Sequence, residues 1–329
     1  MKVSVVTAPG ETQVVDAPKP TVGPADVLVR IRACGICGTD ALFISMGGMP
    51  IGHEPAGEVV EVGADVIDIT VGDHVVINPM AKPGEIIGNG AAAGALSEYL
   101  LIENAVRGMS LEVVPEHIPF EVAALNEPMA VARHGVNQCQ PKPGDKVVIF
   151  GAGPIGLGAT IAFKSLRVSH VVVADLLPSR LEKALKVGAD AVINSGEEDV
   201  AKRLLELHGE GASMWGGKAG TDIYFDAAGV PAVIETALAA AKTGARLGVV
   251  AVHKQPVPVD FLNLMSNEIT IVGSMGYPAE IFEVTEDLIA NWEKYAVIIS
   301  HTIPFHDVNN ALKTATTPGA ADKVVVTFN

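Results

Sequence analysis

The 329-residue chain predicts an α/β protein in two parts, a β-rich, barrel-like domain and a doubly wound parallel sheet. Three observations predict it. Over about the first 125 residues, short alternating apolar stretches are separated by Gly, Pro and Asp turns, whereas from Glu127 onward strand patterns alternate with helical ones. The length exceeds what one core of ordinary size absorbs, and 49% hydrophobic residues suffice for two.

The elements follow in order. Met1-Lys2-Val3-Ser4-Val5-Val6 reads as a first strand rather than a signal peptide. Val27 to Arg32, Gly57 to Gly63 and His74 to Ile77 carry the period-two alternation of further strands. Beyond Glu127, strands are predicted at 146–150, 171–174, 190–193, 222–225, 246–251 and 269–272, with helices near 154–167, 178–187, 197–208 and 231–241. The last strand, Lys323-Val324-Val325-Val326-Thr327-Phe328, is expected to return to the first domain. The division is therefore 1–127 with 274–329 for the β-rich domain, and 128–273 for the parallel sheet. Gly209 to Gly220, with five glycines around Met214-Trp215, reads as an exposed surface loop.

A formal charge of -15 argues against nucleic acid and anionic membranes as partners, since both attract basic patches, and points to small neutral molecules. No apolar run reaches the roughly 18 residues of a spanning helix, so a soluble, cytoplasmic protein is expected. Three cysteines are too few for a disulfide framework. Cys34 reads as a buried small residue, because the pair Cys34/Cys37 leaves only Cys139 to complete a four-thiolate metal site.

Two sets of residues carry chemistry. Cys37, within Cys34-Gly35-Ile36-Cys37-Gly38-Thr39-Asp40, His53, within Gly52-His53-Glu54, and Glu127, within Leu125-Asn126-Glu127-Pro128, supply a thiolate, an imidazole and a carboxylate. Three protein ligands with an open fourth position are the pattern of catalytic rather than structural zinc. The second set is Gly151-Ala152-Gly153-Pro154-Ile155-Gly156, which follows the apolar run Lys146 to Phe150, opens a helical pattern, and is answered 19 positions after Gly156 by Asp175 at the end of another strand. Glycines let the backbone approach a pyrophosphate, the helix N-terminus stabilises its charge, and the acid reads a ribose.

With these residues in view, the chain resembles the zinc-dependent medium-chain dehydrogenase/reductase family over essentially its whole length, most nearly the sorbitol, butanediol and secondary-alcohol dehydrogenase branch. The resemblance rests on Cys37-Gly38-Thr39-Asp40, Gly52-His53-Glu54, Val71-Gly72-Asp73-His74-Val75, Glu127-Pro128, Gly144-Asp145-Lys146-Val147 and Gly151 to Gly156, all in family order. It implies a GroES-like catalytic domain and a Rossmann domain, one catalytic zinc per chain, NAD rather than NADP, and a homo-oligomer, dimer or tetramer. Cys37 and His53 match the family's zinc ligands, and Glu127 falls where this branch has a carboxylate. The carboxylate matching Glu54 is the ligand in some relatives, with the two acids exchanging roles. Thr39 matches the hydroxyl that bonds the substrate oxygen and begins the proton relay. Gly151, Gly153, Pro154, Ile155 and Gly156 match the cofactor turn. Asp175 matches the acid that repels a 2′-phosphate, a choice that Arg180 softens.

The departures inform as well. The lobe that binds a structural zinc in relatives corresponds to about 78–98, which here holds no cysteine, so no structural zinc is expected. Leu42 stands where many relatives carry a relay histidine. The 16 positions from Cys37 to His53 are fewer than usual, so the loop over the substrate is trimmed, with Met46 and Met49 beside the pocket. The Arg-Tyr pair of sorbitol dehydrogenases is not evident near Gly276-Tyr277-Pro278, which counts against a sugar alcohol. His74 and His134 read as structural histidines, while His253, after the strand from Arg246 to Val252, is a candidate cofactor contact.

The resemblance thus implies hydride transfer between NAD(H) and a small secondary alcohol or diol and its ketone. Polyol, sugar or threonine oxidation is the alternative within the family. A zinc-free quinone- or enoyl-type reductase and a non-catalytic NAD-binding protein are alternatives from other classes, which metal content and turnover separate.

Overall fold

The computed structural model describes residues 1–214 and 216–329; Trp215, expected from sequence in a surface loop, lies outside the described residues. Two compact units divide the chain, Met1–Pro128 with Ile281–Asn329, and Met129–Glu280.

In the second unit six parallel strands stand, among the described residues, in the order Ala191–Asn194, His170–Asp175, Lys146–Phe150, Ile223–Asp226, Arg246–Val249 and Thr270–Gly273. Chain order reverses at Lys146–Phe150, and at such a switch point a ligand crevice opens beyond the carboxyl ends of the strands. The four central strands are near-continuous apolar runs because helices cover both faces of a parallel sheet. Local chemistry bounds those helices. Pro154, Pro178 and Pro231 each sit at a helix start, where the missing N–H costs nothing, and Gly188, at φ 118°, closes the helix Pro178–Val187 in the left-handed region. Asp199 caps Val200–His208 by accepting the amide of Lys202. The glycine-rich segment forms a two-rung antiparallel hairpin, Glu210–Gly211 against Lys218–Ala219.

The first unit is built on a sheet ordered His301–Pro304, Val324–Thr327, Val27–Gly35, Glu54–Val62, His74–Ile77 and Leu111–Val114, with Tyr99–Ile102 also on Val27–Gly35. Its core joins Val29, Ile31, Val59, Val75, Leu96 and Leu111 to Val324 and Val326 from the end of the chain. The C-terminal strand therefore does return to this unit, antiparallel to Val27–Gly35. Glu54–Val62 begins earlier than its alternation suggests, since Pro55 lacks a ladder donor yet pairs with Cys34. The helix Asn126–Gln138, which alternation did not reveal, starts with Glu127 in its first turn.

Among the described residues no helix is long and apolar enough to cross a membrane.

Candidate active site

Strand pairing assembles the first cluster. Val27–Gly35 and Glu54–Val62 run antiparallel with Gly35 opposite Glu54, so the chain leaving one strand through Ile36-Cys37 meets the chain entering the other through His53. Donor atoms of Cys37, His53 and Glu54 all lie within 4.8 Å of one another. His53 and Glu54 are buried and Cys37 is half-buried. Glu127, 8% exposed at its helix start, stands outside that group.

Around these donors the hydrogen bonds are specific. Thr39 precedes the helix Asp40–Met46 but makes no side-chain cap to it. Its hydroxyl instead donates to Cys37 Sγ at 3.2 Å and lies 3.5 Å from His53 Nε2. Asp40, fully buried, accepts the Cys37 amide through Oδ2 at 2.9 Å and places Oδ1 3.4 Å from His53 Nδ1, an ion-pair distance without hydrogen-bond geometry. Burial pulls the His53 imidazole down, but Asp40 and Cys37 outweigh it and hold the ring well above its ordinary range. The pocket thus concentrates negative charge on one buried imidazole, and a divalent cation answers the same charge by displacing the proton. A carboxylate behind a ligating histidine is also what fixes such a ring toward a metal. The donor set fits zinc.

Sequence reasoning missed Asp40 in that orienting part, and it missed Lys323. Immediately before the strand Val324–Thr327, Lys323 is 3% exposed, its ammonium paired with Glu54 Oε2 and donating to the Ile36 carbonyl at 2.9 Å. Desolvation lowers its pKa, yet the charges of Glu54, Cys37 and Glu127 prevail and raise it. Gly35 makes room for the pair: a Cβ there would lie 1.8 Å from Glu54 Oε2 and 3.1 Å from Lys323 Cε. Glu54 Oε1 is buried without a hydrogen-bond partner.

The second cluster closes the crevice end of the parallel sheet. Gly151 has φ 94°, and a Cβ on Gly156 would lie 1.8 Å from the Gly151 carbonyl oxygen, so only glycines permit this turn. A Cβ on Gly153 would meet nothing within 4 Å, which leaves open space over the start of the helix Pro154–Ser165, as a pyrophosphate requires. Asp175 accepts the amides of Ala152 at 2.7 Å and Leu177 at 2.9 Å, tying the glycine turn to the neighbouring strand end. Each of its oxygens keeps a lone pair for a ribose hydroxyl. Arg180 lies in the first turn of the helix Pro178–Val187. Leu42 is 58% exposed on Asp40–Met46.

The remaining histidines divide. His74 lies against Phe120 with ring centroids 4.3 Å apart and planes tilted by 37°, and buried His134 places Nδ1 2.9 Å from Glu280 Oε1, so both have structural partners. His253 pairs with Asp226.

Comparison with known proteins agrees with this geometry. Residues 23–110 match the alcohol dehydrogenase GroES-like domain and residues 154–291 the zinc-binding dehydrogenase domain. An (R,R)-butanediol dehydrogenase of Neisseria gonorrhoeae is 31% identical over 325 residues, covering 87% of this chain and 88% of that protein. The chain belongs to the zinc-type medium-chain alcohol dehydrogenase family. An L-threonine 3-dehydrogenase of Pyrococcus horikoshii is 33% identical over 294 residues, 82% of this chain and 81% of that protein. An alcohol dehydrogenase of E. coli CFT073, solved with NADH, superposes with a TM-score of 0.86 at 27% identity, covering 100% of this chain and 99% of that one. The protein is an oxidoreductase of the alcohol dehydrogenase type, with a GroES-like and a Rossmann part.

Proposed function

We propose that the chain moves a hydride between NAD(H) and a small secondary alcohol or diol and its ketone, using one zinc ion held by Cys37, His53 and a carboxylate. The observation that carries this reading is the Cys37, His53 and Glu54 donor cluster at the ends of two paired strands. Zinc bound there supplies Lewis acidity, lowering the pKa of an alcohol and stabilising developing negative charge by several kcal/mol. Glu54 Oε1 is the carboxylate oxygen of that cluster left without a hydrogen-bond partner, and Glu127 is the second candidate acid, whose exchange with Glu54 the family resemblance supports.

The residues of the chain do the rest. Thr39, with its hydroxyl at the donor face, bonds the substrate oxygen and takes its proton first. Asp40 keeps His53 and the Cys37 turn in place. Asp175 accepts the adenosine ribose hydroxyls and disfavours a 2′-phosphate, which supports NAD over NADP. The names of the relatives, butanediol and threonine dehydrogenases, support a secondary hydroxyl beside a second polar group. Residues 78–98 contain no cysteine, which supports a single ion per chain, and the family resemblance supports a homo-oligomer in the cytoplasm.

The test is elemental analysis together with NADH formation over a panel of secondary alcohols, diols, polyols and threonine. About one zinc per chain and turnover of diols or secondary alcohols are expected. Cys37→Ser and His53→Ala should each strip the metal and abolish turnover while leaving NADH binding intact; full activity in either variant refutes the ligand set.

A further inference from the structure

Away from the Cys37 and His53 cluster, a buried acid and a half-buried histidine pair at the end of the parallel sheet, and the pair gives the candidate cofactor contact at His253 a geometry. Asp226 is the last residue of the strand Ile223–Asp226 and is fully buried. Its Oδ1 accepts the amides of Ala228 and Gly229, both at 2.9 Å, and its Oδ2 lies 2.6 Å from Nε2 of His253. The carboxylate acts only as an acceptor, so the hydrogen-bond pattern assigns the imidazole proton to Nε2 and leaves Nδ1 as a lone-pair acceptor. That Nδ1 is buried and has no hydrogen-bond partner. A buried acceptor left unpaired is costly, so this atom calls for a partner from outside the chain, a water or a ligand.

Topology says which ligand. The loop after Asp226 is wedged between the glycine turn and the segment that carries His253: a Cβ on Gly151 would lie 3.0 Å from the Ala227 carbonyl oxygen, and one on Gly229 would lie 2.8 Å from that of Val252. In the sheet, Asp175 ends the strand on one side of Lys146–Phe150, and Asp226 ends the strand on the other. A dinucleotide whose pyrophosphate rests on the turn after Lys146–Phe150, with its adenosine ribose at Asp175, extends its other half across the switch point toward Asp226 and His253. That half offers ribose hydroxyls and a carboxamide N–H.

We propose that Asp226 and His253 form a nicotinamide-side anchor, in which Asp226 sets the tautomer and Nδ1 of His253 accepts a hydrogen bond from the nicotinamide riboside. The anchor rests on the dinucleotide reading given above. It is a positioning device: it orients the half of the cofactor that carries the hydride without joining the reacting atoms.

The experiment measures dissociation constants of NADH, ADP-ribose and ADP for the zinc-loaded full chain by titration calorimetry. His253→Ala should weaken NADH about tenfold, equivalent to about 1.4 kcal/mol, and leave ADP unchanged. ADP-ribose weakened alongside NADH identifies a ribose hydroxyl as the donor, and ADP-ribose unaffected identifies the carboxamide. Asp226→Asn is the more discriminating change. Its oxygen still serves Ala228 and Gly229, but its NH2 faces Nε2, inverts the tautomer and turns Nδ1 into a donor, so NADH should weaken as much with the ring still present. NADH affinity unchanged in His253→Ala, or NADH and ADP weakened by the same factor, overturns the anchor alone. Wild-type protein that binds none of the three overturns the dinucleotide reading and the anchor with it.

Discussion

Lys323→Met tests whether the buried cation beside the metal cluster is integral to it. The Lys323 and Glu54 side chains are 3% and 1% exposed, so the pair is out of water, and the ammonium also donates to the Ile36 carbonyl. Methionine fills most of the volume but leaves the Glu54 carboxylate without its cation, with Oε1 already unpartnered and Oε2 newly so. Breaking a buried pair in this way costs about 3–5 kcal/mol. For a domain of this size each kcal/mol shifts Tm by about 2–4 °C, so a fall of roughly 6–20 °C is expected. Bound zinc would restore part of the missing positive charge near Glu54, and the fall should therefore be larger after chelation than in the loaded protein. Calorimetric scans of wild type, Lys323→Met, Glu54→Gln and the double variant complete a cycle, in which the double variant should recover about 2 kcal/mol or more relative to the sum of the singles. A Lys323→Met transition within about 2 °C of wild type, or strictly additive single changes, would refute the reasoning.

Three further outcomes follow from the geometry. Asp175→Ser should raise kcat/KM for NADP relative to NAD by about tenfold or more, while weakening both cofactors because the Ala152 amide loses its acceptor; an unchanged ratio would move selectivity elsewhere, Arg180 first. Leu42→His, on an exposed turn of helix beside Thr39, should raise kcat for alcohol oxidation near neutral pH, since a placed acid–base group typically contributes about 10²–10⁴-fold; no change, with no solvent isotope effect, removes proton release as the limit. Burial first, then the charges of His170 and Lys146, push His208 down to about 4, so the unfolded chain binds a proton that the folded chain refuses between its ordinary 6.5 and 4. Stability should therefore be lost as pH falls through that window, by about 2–3 kcal/mol, and His208→Asn should flatten urea-derived stability against pH there while lowering it at pH 7.5; parallel curves would contradict this.

How much was legible depends on the range over which each feature is encoded. The helix Pro178–Val187 starts and stops at residues whose chemistry dictates it, and the six parallel strands are apolar runs set between such helices, so spacing alone located them. The helix Asn126–Gln138 is not evident from pattern, since it contains Pro128 and Gly135, residue types that disfavour a helix interior. Pro128 is tolerated in the first turn, and Gly135 is there for closeness, since a Cβ would lie 2.5 Å from Val250 Cγ2 and 3.0 Å from Phe225 Cζ. Alternation likewise began the strand Glu54–Val62 too late, because Pro55 argues against a strand and pairs at its end all the same.

The site divides the same way. Cys37, Thr39 and Asp40 are neighbours in one turn, and His53 and Glu54 are adjacent, so a short motif betrays them. Lys323 reaches Glu54 only because Val325 pairs with Gly35 while Gly35 pairs with Glu54, two registers that no local pattern states, and a lysine ahead of an apolar strand otherwise reads as solvated. This remote residue bears on the question the motifs leave open, which of the two acids meets the metal. With Oε2 committed to the ammonium, Glu54 offers a cation a single oxygen, Oε1. On the zinc reading proposed above, Lys323 would limit Glu54 to one metal bond and lower the negative charge it brings, which argues against Glu54 as a chelating ligand. Lys323→Met should for that reason tighten zinc binding by the surviving protein even as it destabilises the fold, and metal retention during dialysis against a chelator measures it; faster loss of zinc than in wild type would show that the ammonium supports the ligand rather than restrains it.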